Sequence, residues 1–390
     1  MARFTRRALL GGGVAALGAA GLGAVGGGTA VASRIPEPIG ARTVEIHGTH
    51  QAGIDTPAQS FASFVALDLA EGVDRDGLVG IMRVWAEDAR RLTTGTPALG
   101  DTEPELAVDP ARLTVTVGYG PAVFDAAGLT DRRPAWLKPL PAFPIDRLEE
   151  RWSGGDLLLQ VCADDPVTVS HASAHSPRVC DRWRRSAGSS EVPARGRHAT
   201  RRDDDAQPHG AGRRHRQSRA AQPGFRPAGV ESGDPPWMAG GTSLVLRRIR
   251  MELDTWDELD RPARELAVGR RLSNGAPLTG SEEHDDADFE ATDRFGIPVI
   301  PPESHVARAR PRTGDEQFLR RGYNYDDQDG VGLLFAAYQV DVERQFVPVQ
   351  QRLAEHDALN PWITPIGSAV FLLPPGFGPD GYPGDVLLGV

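Results

Sequence analysis

The sequence contains very little cysteine and almost no lysine. Its 390 residues include two cysteines, Cys162 and Cys180, and a single lysine, Lys138. Two cysteines do not make a disulfide framework, and two unpaired thiols are the simpler interpretation. One lysine among many arginines, with abundant Ala, Gly and Pro, indicates a GC-rich coding sequence rather than a phosphate-binding surface. The net charge of −10 gives no support to a nucleic-acid partner.

Long hydrophobic runs are also scarce, and the one candidate lies at the N-terminus. Ala8–Ala30 is apolar but rich in glycine and alanine, which is too weakly hydrophobic for a permanent membrane span. Arg6 and Arg7 precede it, and small residues end it at Ala32. This pattern is typical of a Tat signal peptide, predicted over residues 1–32. The protein is therefore expected outside the cytoplasm, in the periplasm, cell envelope or medium, and not as an integral membrane protein once processed. An uncleaved anchor is the alternative.

The length suits two domains of about 150 residues each. Alternating apolar residues predict strands at Ser60–Leu69, Leu113–Gly118 and Asp156–Cys162. Helical spacing predicts a helix at Asp76–Thr93, with Asp76 as its N-cap, and shorter helices at Pro121–Ala127 and Pro166–Ala172. This order over residues 40–172 is that of a ferredoxin-like unit, an antiparallel sheet with helices on one face.

Residues 231–390 repeat this order. Strands are predicted at Thr242–Asp254, Val331–Val340 and Ala369–Leu373, and helices at Trp256–Gly269 and Glu343–His356. We therefore predict an α+β protein of two ferredoxin-like domains, with antiparallel sheets and helices packed outside as in dimeric α+β barrels.

Several motifs follow one another along the chain. They are His47–Ile54 (HGTHQAGI), Gly118–Gly120 (GYG), Gly154–Leu157 with Cys162–Pro166 (CADDP), and Pro301–Gln350. Together they resemble the dye-decolourising (DyP-type) haem peroxidase family, and most closely its Tat-exported branch, which includes deferrochelatase/peroxidases of iron uptake. The resemblance covers about residues 40–172 and 231–390. It implies two ferredoxin-like domains and one haem b, held in the C-terminal half.

The same resemblance assigns roles to residues of the C-terminal half. It makes His305 the proximal ligand of the haem iron and Arg320 the distal catalytic cation, which also binds the cofactor. Arg310, Pro311 and Arg312 stand where the family contacts haem, near its propionates. A neutral imidazole is a common axial ligand, and a fixed guanidinium stabilises the negative oxygen that develops as peroxide is cleaved. Without the resemblance, a loop histidine and a solvated arginine would be the simpler interpretations.

Other side chains have structural interpretations that we favour. His47 and His50 belong to a family-like motif, yet a structural role is the simpler one. Tyr323, Tyr325, Tyr338 and Trp256 could relay an oxidising hole to large dyes, but packing is the simpler explanation for all four.

One requirement of the family is missing. Its acid/base carboxylate lies in a Gly-x-x-Asp-Gly motif between the halves, and this sequence contains none. In its place stands an arginine-rich stretch without apolar periodicity. Asp203–Gln217 can be back-translated so that a shift of one base encodes TTMRNLMGQVDGTVN, which carries the motif. We therefore predict that residues 173–230 are an aberrant, frame-shifted segment; a genuine basic insertion is the alternative.

The predicted function is a haem-dependent peroxidase that uses hydrogen peroxide to oxidise dyes or phenols. Release of iron from haem in iron uptake is the competing chemistry within the same class. Its partners would be peroxide with an organic electron donor or haem, and an iron-uptake system; a homo-oligomer is compatible. Two alternatives stay open. Loss of the distal carboxylate favours a non-catalytic haem carrier, and the fold is compatible with a chlorite-dismutase-like relative, although the HQAGI and CADDP motifs speak against the latter.

Overall fold

The computed structural model describes residues 39–178, 183–185, 190–195 and 235–389. The predicted signal peptide and most of the predicted frame-shifted segment lie outside these residues, so both stay predictions, as do the domain boundaries. None of the helices in the described ranges is long and apolar enough to cross a bilayer.

The N-terminal half begins with a strand and a long helix and continues in the predicted order. Its elements are β1 (Phe61–Leu69), α1 (Arg75–Leu92), β2 (Thr114–Tyr119), α2 (Pro121–Ala126), β3 (Leu157–Ala163), α3 (Pro166–Arg178), β4 (Trp183–Arg185) and β5 (Ser190–Arg195).

The C-terminal half repeats the strand–helix–strand–strand–helix–strand order. Its elements are β6 (Thr242–Met251), α4 (Leu253–Asp257), α5 (Arg261–Val268), α6 (His305–Ala309), β7 (Leu319–Asp327), β8 (Gly330–Gln339), α7 (Val347–His356), β9 (Ile363–Leu373) and α8 (Asp385–Leu388).

The strands form one antiparallel sheet that closes on itself. Its order is β3-β2-β9-β6-β8-β7-β5-β1-β4, and β1 also pairs with β3. The two halves meet at two seams, each a single residue pair: Tyr119 with Leu372 and Arg195 with Asn324. Closure leaves few free strand edges. The predicted α+β architecture of the dimeric α+β barrel type is confirmed.

Strand alternation places two cores on opposite faces of the sheet. One core lies under α1 and α2 and takes Leu67, Val117 and Val370 from the strands. The other takes residues of the opposite parity, such as Phe64 and Tyr338, and fills the inside of the closed sheet. Side chains at neighbouring positions of a strand therefore face different surroundings, which decides the geometry of the site described below.

Two local predictions were wrong. Trp256–Gly269 is not one helix but two, α4 and α5, because Pro262 stands in the first turn of α5 and cannot continue a preceding helix. Asp260 caps α5 instead, accepting a hydrogen bond from the Ala263 N–H at 2.8 Å. The N-cap of α1 is Asp74 rather than Asp76, since the Asp74 carboxylate accepts from the Gly77 N–H at 2.9 Å.

The HQAGI motif, which precedes β1, is held to β2 by hydrogen bonds. The amide of Gln51 pairs with both backbone groups of Val117: its oxygen accepts from the N–H and its nitrogen donates to the C=O, each at 2.9 Å. The same nitrogen donates to the Pro374 carbonyl at 3.0 Å. His47 and His50 contact the backbone carbonyls of Phe377 and Gly240, an arrangement that agrees with a structural role.

Replacing Gln51 by alanine is expected to destabilise the fold by about 2 to 4 kcal/mol, because it leaves buried backbone groups of Val117 and Pro374 without partners. Urea unfolding followed by circular dichroism measures the change. Gln351→Ala, at an exposed position of α7, serves as the control and should shift the midpoint very little. Equal midpoints for the two variants would contradict the assignment of Gln51 as a buried clamp.

Candidate active site

The short helix α6 presents His305 at its first position. The Nδ1 atom of His305 lies 2.6 Å from the Oδ2 atom of Asp357, which follows the last residue of α7. Asp357 is buried, and its other oxygen accepts from the Leu359 N–H at 3.0 Å. A carboxylate can only accept, so Nδ1 carries the proton and donates it. The Nε2 atom of His305 is thereby left with its lone pair available for a metal.

His305 and Asp357 border a cavity between the outer face of the C-terminal strands and helices α6 and α7. The cavity measures about 1510 Å³ when the space continuous with solvent is included. Its wall is mainly aliphatic and aromatic, with Ile249, Met251, Leu333, Phe335, Val349 and Leu353 among the lining side chains. Such a wall suits a large, flat, apolar ligand better than a small polar one.

Arg320 lies on β7 and lines the same cavity as His305. It shares a strand face with Gly322 and Asn324, whereas Arg321 and Tyr323 belong to the opposite face, buried toward the inside of the closed sheet. Desolvation, with a smaller contribution from the like charge of Arg270, lowers the pKa of Arg320 to about 10. In the part of the chain that the structure describes, no carboxylate pairs with Arg320. The side chain retains some exposed surface because it faces the cavity.

The other charged groups of the wall are already paired. Arg247 forms an ion pair with Asp146 and a hydrogen bond with the Ser368 hydroxyl at 3.2 Å. Arg321 donates to the carbonyls of Ile54 and Thr56. Arg320 is therefore the guanidinium that remains available to a ligand, within the limits of the described residues.

The donor set fits haem. No group of three or more His, Cys, Asp and Glu side chains that could hold a metal occurs in the described ranges. The wall instead offers one oriented imidazole nitrogen, as a metal needs when a macrocycle supplies its other ligands. Three buried amide oxygens that line the cavity, those of Gln59, Asn324 and Asn360, also have no hydrogen-bond partner among the described residues. A group with polar edges and an apolar face matches such a wall.

The predicted haem contacts at Arg310, Pro311 and Arg312 are not part of this wall. All three are exposed just after α6. The Arg310 guanidinium lies 4.4 Å from the centre of the Phe289 ring, and the Arg312 N–H donates to Glu316 at 2.8 Å. The structure thus brings His305 and Arg320 together and leaves these three outside, and their contact with haem stays a prediction.

Two protein-family models match this chain. The family model described as Dyp-type peroxidase, N-terminal, matches residues 51–177, and the model described as Dyp-type peroxidase, C-terminal, matches residues 212–377. The chain belongs to the Dyp-type peroxidase family. Among curated relatives, the dye-decolorizing peroxidase of Thermobifida fusca is 39% identical over 355 residues, which cover 83% of this chain and 80% of that protein. The deferrochelatase of Escherichia coli K12 is 32% identical over 362 residues, covering 85% and 83%.

Solved structures agree with this membership. A DyP-type peroxidase from Cellulomonas bogoriensis has 46% identity and a TM-score of 0.84, covering 91% of this chain and 100% of that one. Ferric DtpA from Streptomyces lividans has 38% identity and a TM-score of 0.82, covering 90% and 98%. The predicted family, the haem-dependent peroxidase class and the haem cofactor are confirmed. Neither the non-catalytic carrier nor the chlorite-dismutase-like alternative is favoured.

Sequence reasoning missed several residues of this Dyp-type site. Asp357 lies 52 residues from His305 and no spacing signal connects the two. The only available hint was an acidic residue directly after a predicted helix. Asn324 and Asn360 were missed because an isolated amide has no sequence signature, although the alternation of β7 places Asn324 on the face of Arg320.

Replacing Asp357 by asparagine is expected to weaken haem binding about 10- to 100-fold, because the carboxylate that orients the His305 ring and strengthens its electron donation to a metal is lost. The reduction potential of the bound haem should rise for the same reason, an effect that a purely structural role would not produce. Haem titration and spectroelectrochemistry measure both. Asp315→Asn, an exposed site, is the control, and an unchanged potential in the Asp357 variant would refute the positioning role.

Proposed function

We propose that this chain reduces hydrogen peroxide at a haem held by His305 and oxidises dyes or phenolic compounds, with Arg320 as the catalytic cation. The observation that carries this assignment is one cavity bordered by both an imidazole fixed by a buried carboxylate and a guanidinium without an anionic partner in the described residues. The test is peroxide-dependent dye oxidation by haem-loaded protein, compared with the same protein without haem. Equal rates in the two samples would refute the proposal.

His305 holds the cofactor and orients it. Asp357 holds the proton on Nδ1, so the lone pair of Nε2 would be free to hold the iron of a bound haem. When bound, haem supplies the iron that exchanges electrons with peroxide. The apolar side chains of β6, β8 and α7 exclude water around it, which strengthens every charge interaction within the cavity.

Arg320 acts on the charge that develops during O–O cleavage. Its guanidinium faces the cavity and has little solvation to lose when an oxygen becomes negative beside it. With a pKa of about 10 it remains a cation at neutral pH. Because its planar fork is fixed on a strand rather than on a loop, it needs little reorganisation as the charge forms.

We propose further that the natural acid/base group is lost within residues 173–230. The two family-model matches end at residue 177 and resume at 212, so residues 178–211 match neither. This gap falls inside the segment predicted to be frame-shifted, whereas residues 173–177 and 212–230 of that segment lie within the family-model matches. Resequencing the coding DNA decides the matter: a clean frame through codons 173–230 would overturn it. The chain as written should bind haem more weakly and turn over more slowly than a protein that keeps the motif.

The reducing substrate has a second candidate. Curated relatives named deferrochelatase, such as that of Escherichia coli K12, favour a role in which haem itself is the substrate and its iron is released for an uptake system. The two reactions leave different products. Iron trapped by a ferrous chelator together with intact porphyrin would identify iron release, whereas oxidised dye without free porphyrin would identify a peroxidase alone.

Export by the Tat pathway is proposed from the N-terminal sequence. Arg6 and Arg7 are the twin arginines of the signal, and replacing both by lysine should trap the precursor inside the cell. Cell fractionation and immunoblotting measure this; unchanged export would exclude the pathway. A homo-oligomer is likewise proposed, and light scattering of the purified protein would decide it.

A further inference from the structure

A thiol and a phenol meet directly behind the cavity wall. The Tyr323 hydroxyl lies 3.7 Å from the Sγ atom of Cys162. Tyr323 belongs to β7, the strand that carries Arg320, and is among the residues that line the cavity, although its ring lies on the inner face of that strand. Both side chains are buried, with 1% and 0% of their surface exposed. The peroxidase site described above does not use either of them.

The surroundings hold this pair rigidly. The Phe64 ring meets the Tyr323 ring edge-on, with centroids 6.0 Å apart. On β3, Cys162 is paired in register with Ala62 on one side and Thr114 on the other. Nearby, the Tyr338 hydroxyl donates to the Gln160 side-chain oxygen at 2.6 Å. Cys162 and Tyr323 therefore keep their contact within a close-packed core, where side chains cannot easily turn away.

The thiol is protected from direct chemistry with peroxide. Burial raises the pKa of Cys162 to about 11, so the group stays a neutral thiol at neutral pH. Peroxide attacks thiolates that are accessible to solvent, and Cys162 is neither ionised nor accessible. Oxidation can reach it only by electron transfer through a neighbour, and the phenol in contact with its sulfur is Tyr323, on the wall of the oxidising site.

We propose that Cys162 and Tyr323 form an internal oxidation site that becomes a thioether cross-link when peroxide is turned over without an external electron donor. This rests on the proposed peroxidase function. The S–H bond of Cys162 and one ring C–H bond ortho to the Tyr323 hydroxyl break, and a C–S bond forms. The two electrons and two protons released reduce one hydrogen peroxide to two waters at the haem site. The linked pair is lighter than its two parts by two hydrogen atoms.

The cross-link would join the two halves of the chain. Cys162 lies on β3 of the N-terminal half and Tyr323 on β7 of the C-terminal half, 161 residues apart in sequence. Within the sheet, the strands of the two halves pair directly at one residue pair on each of the two seams. A covalent bond across so long a loop restricts the unfolded chain, as a disulfide does. Oxidised protein should therefore unfold at a higher temperature than protein never exposed to peroxide.

The test uses full-length, haem-loaded protein with Cys180→Ser as the background, so that Cys162 is the only thiol. After peroxide treatment without donor, the free thiol should disappear, and mass spectrometry of a digest should show one linked peptide pair containing Cys162 and Tyr323, two hydrogens lighter than the sum. Excess dye should suppress the link, and protein without haem should not form it. Cys162→Ser and Tyr323→Phe should abolish it, and Cys162→Ser should keep dye turnover.

The possible results distinguish the cross-link from the peroxidase function on which it rests. Dye turnover with a persistent free thiol, or with Cys162 converted to a sulfinic or sulfonic acid, would overturn the cross-link and leave the peroxidase function intact. A linked peptide that also forms without haem would overturn the electron-transfer route. Absence of both dye turnover and cross-link in haem-loaded parent protein would overturn the proposed function and this inference with it.

Discussion

Replacing His305 by alanine is expected to abolish stable haem retention. Loss of a partner that merely orients a ligand costs about 10- to 100-fold in affinity, so loss of the ligand itself should cost more than about 100-fold. Asp357 adds to the effect, because removing the imidazole leaves its buried carboxylate without the 2.6 Å hydrogen bond from Nδ1. Haem titration followed by gel filtration measures how much cofactor stays with the protein.

Two comparisons make the His305 result specific. His356→Ala removes an exposed imidazole at the end of α7 and should leave haem binding unchanged. Added imidazole should restore part of the absorption spectrum of the His305 variant, because a free ligand can enter the space that the side chain vacates. A variant that keeps haem with an unaltered spectrum and no added imidazole would show that another residue is the axial ligand.

Strand periodicity made much of the architecture predictable. β1, β3 and β8 were predicted to within about two residues, since their buried positions alternate or run continuously through apolar side chains. The closure of the sheet was different. It depends on β2–β9 and β5–β7 contacts of one residue pair each, and no local pattern encodes such contacts. The closed, barrel-like architecture was instead predicted from the resemblance to a family.

The candidate site was predictable only in part, for a related reason. His305 and Arg320 came from a recognisable stretch of sequence, and the structure brings both to one cavity. Asp357 came from neither pattern nor motif, because its role depends on α6 packing against α7. The run Leu319–Asp327 was not predicted as a strand, since its arginines, aspartates and glycine obscure an alternation that becomes clear only when one face is seen to line a cavity.

Replacing Arg320 by leucine is expected to lower peroxide-dependent kcat/KM by about 100- to 1000-fold, the loss typical of removing one preorganised donor to a developing negative oxygen. Haem binding should change little, because His305 and the apolar wall remain. Stopped-flow mixing with peroxide and steady-state dye oxidation measure the loss. Arg344→Leu, at an exposed arginine paired with Asp315, is the matched control and should retain parent activity.

The decline of turnover at alkaline pH shows whether Arg320 acts through its positive charge or through the space that its side chain fills. Burial lowers its pKa to about 10, so the guanidinium is charged below that pH and turnover should decline as pH rises through it. Lysine starts from a lower value, about 10.4, and the same desolvation lowers it further. Arg320→Lys should therefore keep part of the activity near neutral pH and lose it at a lower pH than the parent. A profile that does not move between the two proteins would mean that Arg320 contributes shape to the cavity and not charge to the reaction.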